Sequence, residues 1–320
     1  MNGRGWSAAL ALAALFTGGE ATARERHGGD FLRAELGAGT VAGGLGGLLL
    51  ADPGSRAWWN PAQLEAGVGG WLSFQHQEAF DGALSQDWLS WSGELRGQAV
   101  AAYLLRQAVP DIPISQALEG GATLEEGGRP WVTARADAAD WILGLAAARP
   151  LAPGLRGGLT LKLLHRDLAT VSGSGLGLDA GLRWQARRRL ALALSLRDLT
   201  GTWVFWRDGE QDWIAPEWAL GAAWEQPLPR WRSQFKAELD LRGELEGAVP
   251  DRDGAWRRAW LHGGAEWRLL ERLALRGGWA EGDPSAGAGL SLGRWSVDYA
   301  WRPHPELGAS HLVTLAARLP

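Results

Sequence analysis

The chain has 320 residues, no cysteine and a formal net charge of −4. Without cysteine there can be no disulfide, thiolate metal site, cysteine nucleophile or acylated lipoprotein N-terminus, and without a basic excess no nucleic-acid partner is expected. Tryptophan is abundant, at 21 residues. Its side chain suits a membrane interface, where the ring is apolar and the N–H still reaches water. A tryptophan-rich soluble β-sandwich is the alternative interpretation of the composition.

Residues 1–23 have the pattern of a secretory signal peptide. Arg4 supplies the positive charge, residues 6–16 form an apolar stretch too short to span a bilayer, and Ala21 and Ala23 frame an A-x-A cleavage site. A buried N-terminal helix is the alternative. Since no later apolar stretch reaches about 18 residues, an exported chain of this kind is expected to cross a membrane with strands. That predicts the outer membrane of a Gram-negative-type bacterium.

Residues 24–70 are rich in glycine and small apolar side chains and end in the turn Trp59-Asn60-Pro61-Ala62. They are too apolar for a free tail and too glycine-rich for a regular helix. We therefore predict that this segment is a hatch, or plug, folded into the periplasmic mouth of a barrel formed by residues 71–320.

The barrel prediction rests on period-two patterns. Between residues 235 and 242, every odd position is apolar and every even position is charged, which as a strand gives one face for lipid and one for water. This is the signature of a transmembrane β-barrel. Fourteen antiparallel strands are predicted, at 71–79, 84–92, 95–106, 138–148, 155–166, 174–186, 189–198, 217–226, 231–243, 258–269, 272–281, 285–293, 294–302 and 309–319.

The lengths of the predicted connections alternate. Those that follow even-numbered strands are short, whereas most of those that follow odd-numbered strands are long or rich in Gly, Pro and Asp, with the longest at 107–137 and 199–216. Outer-membrane barrels sort their loops in this way, with tight turns in the periplasm and long loops outside. The fold class predicted is therefore all-β, a transmembrane antiparallel barrel of about fourteen strands.

Several motifs, in this order along the chain, resemble the PorV/PorQ branch of the FadL-like outer-membrane barrels. The motifs are the glycine-rich stretch with Ala51-Asp52, the Trp59–Ala62 turn, the first hairpin at 72–76 and 86–89, the late strands at 275–279 and 297–301, and the closing strand after 307–311. The resemblance covers nearly the whole mature chain, and it implies a fourteen-stranded barrel with an N-terminal hatch.

The resemblance implies two functions. PorV relatives act in type IX secretion, which implies a secretion adaptor or shuttle whose partners are secretion machinery or secreted cargo. FadL relatives pass hydrophobic molecules, which implies an uptake channel for hydrophobic small molecules. We interpret the sequence as the adaptor first and the channel second, with outer-membrane lipid surrounding the barrel in either case.

Three groups of residues are candidates for function. The hatch anchor is Trp59, Asn60, Pro61 and Ala62, because proline fixes a turn and asparagine can bond its own backbone. A hydrated charge network is predicted on the lumen face of two strands, from Lys236, Glu238, Asp240, Arg242, His262, Glu266 and Arg268. Exposed aromatic side chains in the loop at 199–216 are possible contacts for a lipid interface, ligand or partner: Trp203, Phe205, Trp206 and Trp213.

No enzymatic activity, cofactor or metal is expected. Gly37–Ala42 loosely matches a dinucleotide fingerprint but lacks a surrounding βαβ unit, and His262 with Glu266 supplies only two potential metal ligands. Lipid hydrolysis by Ser310 and His311, with Asp298 or Glu306 completing a triad, is a third and weaker alternative, because no G-x-S-x-G elbow is present.

Overall fold

The computed structural model describes residues 31–80, 82–116, 131–245, 249–250, 256–257, 259–304 and 308–320. Fourteen strands form a closed antiparallel barrel, in which the last strand pairs with the first from Trp71↔Arg318 to Glu78↔His311. The wall strands are β1 (Trp71–Ala79), β2 (Leu84–Leu95), β3 (Gln98–Gln116), β4 (Trp131–Ala152), β5 (Leu155–Leu168), β6 (Val171–Arg187), β7 (Leu190–Arg197), β10 (Glu217–Leu228), β11 (Ser233–Glu244), β14 (Ala259–Leu269), β15 (Leu273–Ala280), β16 (Asp283–Leu292), β17 (Trp295–His304) and β18 (Gly308–Arg318).

The fold class predicted from the sequence is confirmed, and most wall strands begin and end within three residues of the predicted bounds. The exceptions are β3 and β4, which continue far past their predicted ends, so that residues 107–116 and 131–137 form an extended hairpin and not a loop. These extensions mix apolar residues with Pro110, Asp111 and Pro113 in no regular order, and the apolar alternation that marks a lipid-facing strand therefore fades although the pairing continues.

The predicted loop at 199–216 is also a hairpin. β8 (Thr202–Trp206) pairs with β6 and with β9 (Gln211–Ile214), and thus continues the wall beyond the end of β7. Asp198, at a left-handed φ of 51°, and Gly201 make the break between β7 and β8. A second short pairing joins β12 (Val249–Pro250) to β13 (Trp256–Arg257).

The two faces of the wall differ as the period-two pattern predicts. On β5, Leu159, Leu161 and Leu163 are 40–54% exposed on the outside, whereas Thr160 and Lys162 are fully buried inside. The exterior is accordingly a band of leucine and aromatic side chains, which suits the hydrocarbon layer of a bilayer. Among the described residues, no helix is both long and apolar enough to cross a membrane.

Residues 31–64, here called the luminal segment, lie inside the barrel and are mostly buried. They contain α1 (Ala38–Ala42), α2 (Arg56–Trp59) and a 3₁₀ turn (Pro61–Gln63). The segment extends through the lumen and not only in its periplasmic mouth. Arg33 contacts Glu217 and Glu244 at the long-loop end, whereas Leu64 contacts Arg156 near the short-turn end, where residues 65–70 lead into β1. The signal-peptide prediction, residues 1–23, lies outside the described residues.

Candidate functional site

The Trp59–Ala62 turn docks on the wall at a pair of facing glycines. Gly158 of β5 and Gly181 of β6 pair across the two strands. A side chain on Gly181 would collide with the Asn60 amide, and a Cβ on Gly158 would lie 2.5 Å from the Pro61 carbonyl carbon. These two positions therefore need glycine, because the turn lies directly on the wall backbone.

Asn60 is fully buried in this turn and uses its whole side-chain amide. Its Oδ1 accepts from the Ala62 N–H at 3.0 Å, and its Nδ2 donates to the carbonyls of Leu48 at 3.0 Å and Leu182 at 3.2 Å. The bond to Leu182 joins the luminal segment to β6. Trp59 is held separately, through a 2.8 Å bond from its Nε1 to the Leu36 carbonyl.

A second glycine pair receives the segment on the other side of the barrel. Gly264 of β14 faces Gly278 of β15, and Gly43 and Gly44 of the luminal segment lie against them. A Cβ on Gly278 would be 2.5 Å from the Gly44 nitrogen. The segment is thus fitted between two walls at points where the wall carries no side chain.

The wall on β2–β5 has an apolar face toward the lumen, bordered by buried polar side chains such as Gln86, Thr160 and Lys162. Its lumen face packs against Leu36, Ala57 and Trp58 of the luminal segment in one buried cluster. Trp58 makes edge contacts with Trp88 and Tyr103, with ring centroids 6.0 and 5.9 Å apart. The wall residues of this apolar face are Trp88, Tyr103, Leu105, Ile142, Ala146 and Leu164, each no more than 5% exposed.

The wall on β11–β17 is ionic. Glu238 accepts the backbone N–H groups of Leu49 at 2.7 Å and Leu50 at 2.9 Å, and so ties the luminal segment to β11. The Glu266 carboxylate forms ion pairs with the guanidinium of Arg268 at 3.1 Å and with that of Arg276 at 2.7 Å. Arg276 also pairs with Asp298.

The seven residues of the predicted charge network lie on two neighbouring strands of the ionic wall. All seven predicted residues lie on the lumen face of β11 and β14, where opposite pairs such as Lys236↔Glu266 and Asp240↔His262 share a face. They do not form one chain of contacts. Asp240 pairs with Arg242 at 3.0 Å, and His262 lies 3.6 Å from Glu281. Lys236 makes no hydrogen bond or ion pair with any described residue, and whether these charges act in function stays a prediction.

Asp52 links the luminal segment to itself and to the ionic wall. Its carboxylate accepts the N–H groups of Gly39 at 2.7 Å and Thr40 at 3.2 Å. Burial, together with the nearby Asp298 carboxylate, raises the pKa of Asp52 to about 6 although Arg276 opposes that shift. Asp52 lies directly after Ala51 in the resemblance motif, but its bonds to Gly39 and Thr40 could not be read from the sequence.

A buried ion cluster near the β7–β8 break escaped the sequence analysis. Lys162 Nζ, fully buried, lies 2.7 Å from Asp179 and 2.6 Å from Asp198. Thr202 also bonds Asp198. The signal was available, because Lys162 is a single charge among leucines on β5 and Asp179 is the only charge between residues 171 and 182.

The candidate aromatic contacts differ in their exposure. Trp203 and Phe205 are 42% and 54% exposed. Trp206 instead donates to Asp212 at 2.8 Å and lies under the Arg166 guanidinium, and Trp213 packs closely on Gly201. Only the first two offer an outer surface.

The geometry gives no support for a hydrolase. Ser310 is buried on the lumen face of β18, whereas His311 is exposed on the opposite face and bonds Tyr299 at 2.8 Å. Asp298 is engaged by Arg276, and Glu306 lies outside the described residues. Within the described part of the chain, no group of three or more His, Asp or Glu side chains could hold a metal ion.

Comparison with solved structures identifies the fold. The CymD monoaromatic hydrocarbon channel superposes with a TM-score of 0.57 at 13% identity, over 88% of this chain and 95% of that one. The chain shares the barrel fold of this channel. The Pseudomonas putida toluene transporter TodX gives a TM-score of 0.54 at 11% identity, over 88% of this chain and 96% of that one. No family model and no curated protein matches the chain in sequence.

This barrel is an outer-membrane protein. Its closed wall satisfies the backbone of every spanning strand without water, and its exterior is apolar, as a bilayer requires. Membership of the PorV/PorQ branch within the FadL-like barrels stays a prediction.

Proposed function

We propose that this protein is a non-enzymatic outer-membrane channel for hydrophobic small molecules. The observation that carries the proposal is the apolar face on β2–β5, which lies inside the barrel and packs against Leu36, Ala57 and Trp58 of the luminal segment. A hydrophobic solute can take the place of Leu36 and Trp58 on that face, because apolar side chains need no directional partner.

The comparisons favour the same function. Two solved structures with this fold are named as a toluene transporter and a monoaromatic hydrocarbon channel. The secretion adaptor, which the sequence resemblance placed first, draws no support from them. A water-filled pore for polar solutes fits poorly as well, because the luminal segment packs against both walls.

Movement of the luminal segment is the step that the channel requires. In the described arrangement Trp58 is 1% exposed and Ile142 is 1% exposed, so no solute reaches the apolar face until the segment shifts. The segment is then a hatch in the functional sense, and the Trp59–Ala62 turn anchors it on β5–β6.

Uptake of labelled toluene by cells without a hydrocarbon channel of their own tests the proposal. Expression of this chain is expected to accelerate uptake. Ile142→Asn, which places an amide on the apolar face, is expected to lower the rate about tenfold or more, on the scale of one unpaired buried polar group. Trp224→Ala, on the lipid-facing surface at 42% exposure, is the matched control. Equal uptake with and without the chain would refute the proposal, provided that heat-dependent electrophoretic mobility shows a folded barrel.

A further inference from the structure

A small cavity lies between the luminal segment and the ionic wall, near the short-turn end of the barrel. Its volume is about 140 Å³, well below the roughly 300–1,000 Å³ of a pocket for a drug-sized ligand. Segment residues on both sides of Asp52 form one wall of the cavity, and β11, β14 and β15 form the other. Arg268 is 29% exposed at its side chain whereas Arg276 is 6% exposed, so solvent enters from the short-turn side.

Every carboxylate that lines this cavity already has hydrogen-bond donors. Asp52 is held by two backbone N–H groups of α1, and Glu238 by those of Leu49 and Leu50. Glu266 is held by Arg268 and Arg276. The acidic side of the cavity is therefore satisfied by protein groups.

Two of the four cationic side chains that line the cavity have no bonded partner among the described residues. Arg56, on α2, and Lys236, on β11, make no hydrogen bond or ion pair with any residue that the structure describes. Arg56 lies near the carboxylates of Asp52 and Glu65 and near the guanidiniums of Arg156 and Arg183. Both side chains line the same cavity, from the segment and from the wall.

We propose that this cavity binds a small oxyanion, a carboxylate or phosphate, between Arg56 and Lys236. A guanidinium supplies two parallel donors for such a group and an ammonium supplies a point charge. The cavity accommodates a free anion or the head group of an amphiphile, but not a whole hydrophobic molecule. The site does not depend on the passage of hydrocarbons, since it lies across the luminal segment from the apolar face.

The lysine content of the chain gives a direct test. Lys236 and Lys162 are the only lysines, and Lys162 is fully buried. Acylation of Lys236 by an amine-reactive reagent can therefore be followed by mass spectrometry on the full-length folded barrel in detergent. Inorganic phosphate is expected to slow this acylation saturably, and sodium chloride at equal ionic strength is not. Arg56→Gln is expected to weaken the protection about tenfold, the scale of one charged hydrogen bond.

Arg188→Gln is the matched control, because Arg188 is exposed in the turn between β6 and β7 and should leave protection unchanged. A short alkyl phosphate distinguishes a free anion from the head group of an amphiphile. Protection by inorganic phosphate assigns a free anion, and protection by the alkyl phosphate alone assigns an amphiphile head group. The proposal is overturned if neither compound slows acylation of Lys236 in the wild-type chain, or if Arg188→Gln weakens protection as much as Arg56→Gln.

Discussion

The two sides of the lumen hold the same segment by different forces. On β2–β5 the contact is mainly apolar, built from Trp58, Leu105 and Ile142. On β11–β17 the contact is made by charged side chains, with Glu238 bonded to the segment backbone. A hydrophobic solute can replace the first contact, because dispersion and burial are not directional. Only a group with matching donors or acceptors can replace the second.

This contrast shows how a segment can be released on one side while it stays attached on the other. The glycine pair Gly158 and Gly181 makes room for the Trp59–Ala62 turn, and Gly264 and Gly278 make room for Gly43 and Gly44. The segment can thus tilt about its polar attachments while its apolar contacts open. Three changes test this division, in decreasing order of expected effect.

Trp58→Ala should have the largest effect. Removing a fully buried indole from a packed core costs about 3–5 kcal/mol, and here the loss falls on the apolar contact of the segment. Faster proteolysis of the segment and faster toluene uptake are expected together. Trp224→Ala, on the lipid-facing side, should change neither. Unchanged protease sensitivity of the segment in Trp58→Ala would argue against the apolar contact as the closing force.

Glu238→Ala should have the second largest effect and should lower the free energy of unfolding of the segment by about 2–4 kcal/mol. It strips the acceptors from two buried backbone N–H groups, each worth about 1–3 kcal/mol when left unpaired. Glu238→Gln keeps one acceptor oxygen and should lose roughly half as much. Chemical denaturation of the segment, followed by the fluorescence of a probe on it, measures both. Equal losses in the two variants would show that charge and not hydrogen bonding holds this side.

The Asp52 carboxyl should give a smaller, pH-dependent effect. Its pKa is raised from 3.8 to about 6 in the folded chain, so the associated stability is present below about pH 4 and is lost as the pH rises through 6. The pKa shift of Asp52 contributes no more than about 3 kcal/mol to the free energy of unfolding. The groups facing Asp52 are Arg276, Asp298 and Glu266 on the wall. The melting temperature in detergent should fall more between pH 4.5 and 7 for the wild type than for Asp52→Asn. If the melting temperature falls equally in the wild type and in Asp52→Asn, this role of Asp52 is excluded.

Periodicity was enough to predict the wall but not its extensions. Lipid on one face and water on the other impose alternation, which made strands such as β7 and β11 readable residue by residue. The β8–β9 hairpin projects beyond that environment, so its sequence carries turn signals and no lipid-facing alternation. The outcome was a predicted loop at 199–216 where the structure has paired strands.

The candidate site was predictable only in part, because its contacts are long-range. The sequence pointed to the Trp59–Ala62 turn and to the lumen charges on β11 and β14. It gave no means to see that Glu238 bonds the backbone of Leu49 and Leu50, some 188 residues away. Inward glycines such as Gly181 and Gly264 were the available signal, since a strand position without a side chain marks a close backbone approach.

A reversible lock on the luminal segment tests the central claim most directly. An ideal Cβ on Gly46 lies 3.4 Å from the Cβ of Glu238, close to the roughly 3.5–4.5 Å that a disulfide requires, and the chain has no other cysteine. In Gly46→Cys/Glu238→Cys the account predicts that the oxidised and the reduced protein both accelerate toluene uptake to a similar degree, because the Glu238 side stays attached while the apolar contacts open. Uptake that falls about tenfold on oxidation and returns on reduction, with no such change in the single variants, would contradict release of the segment on the apolar side alone.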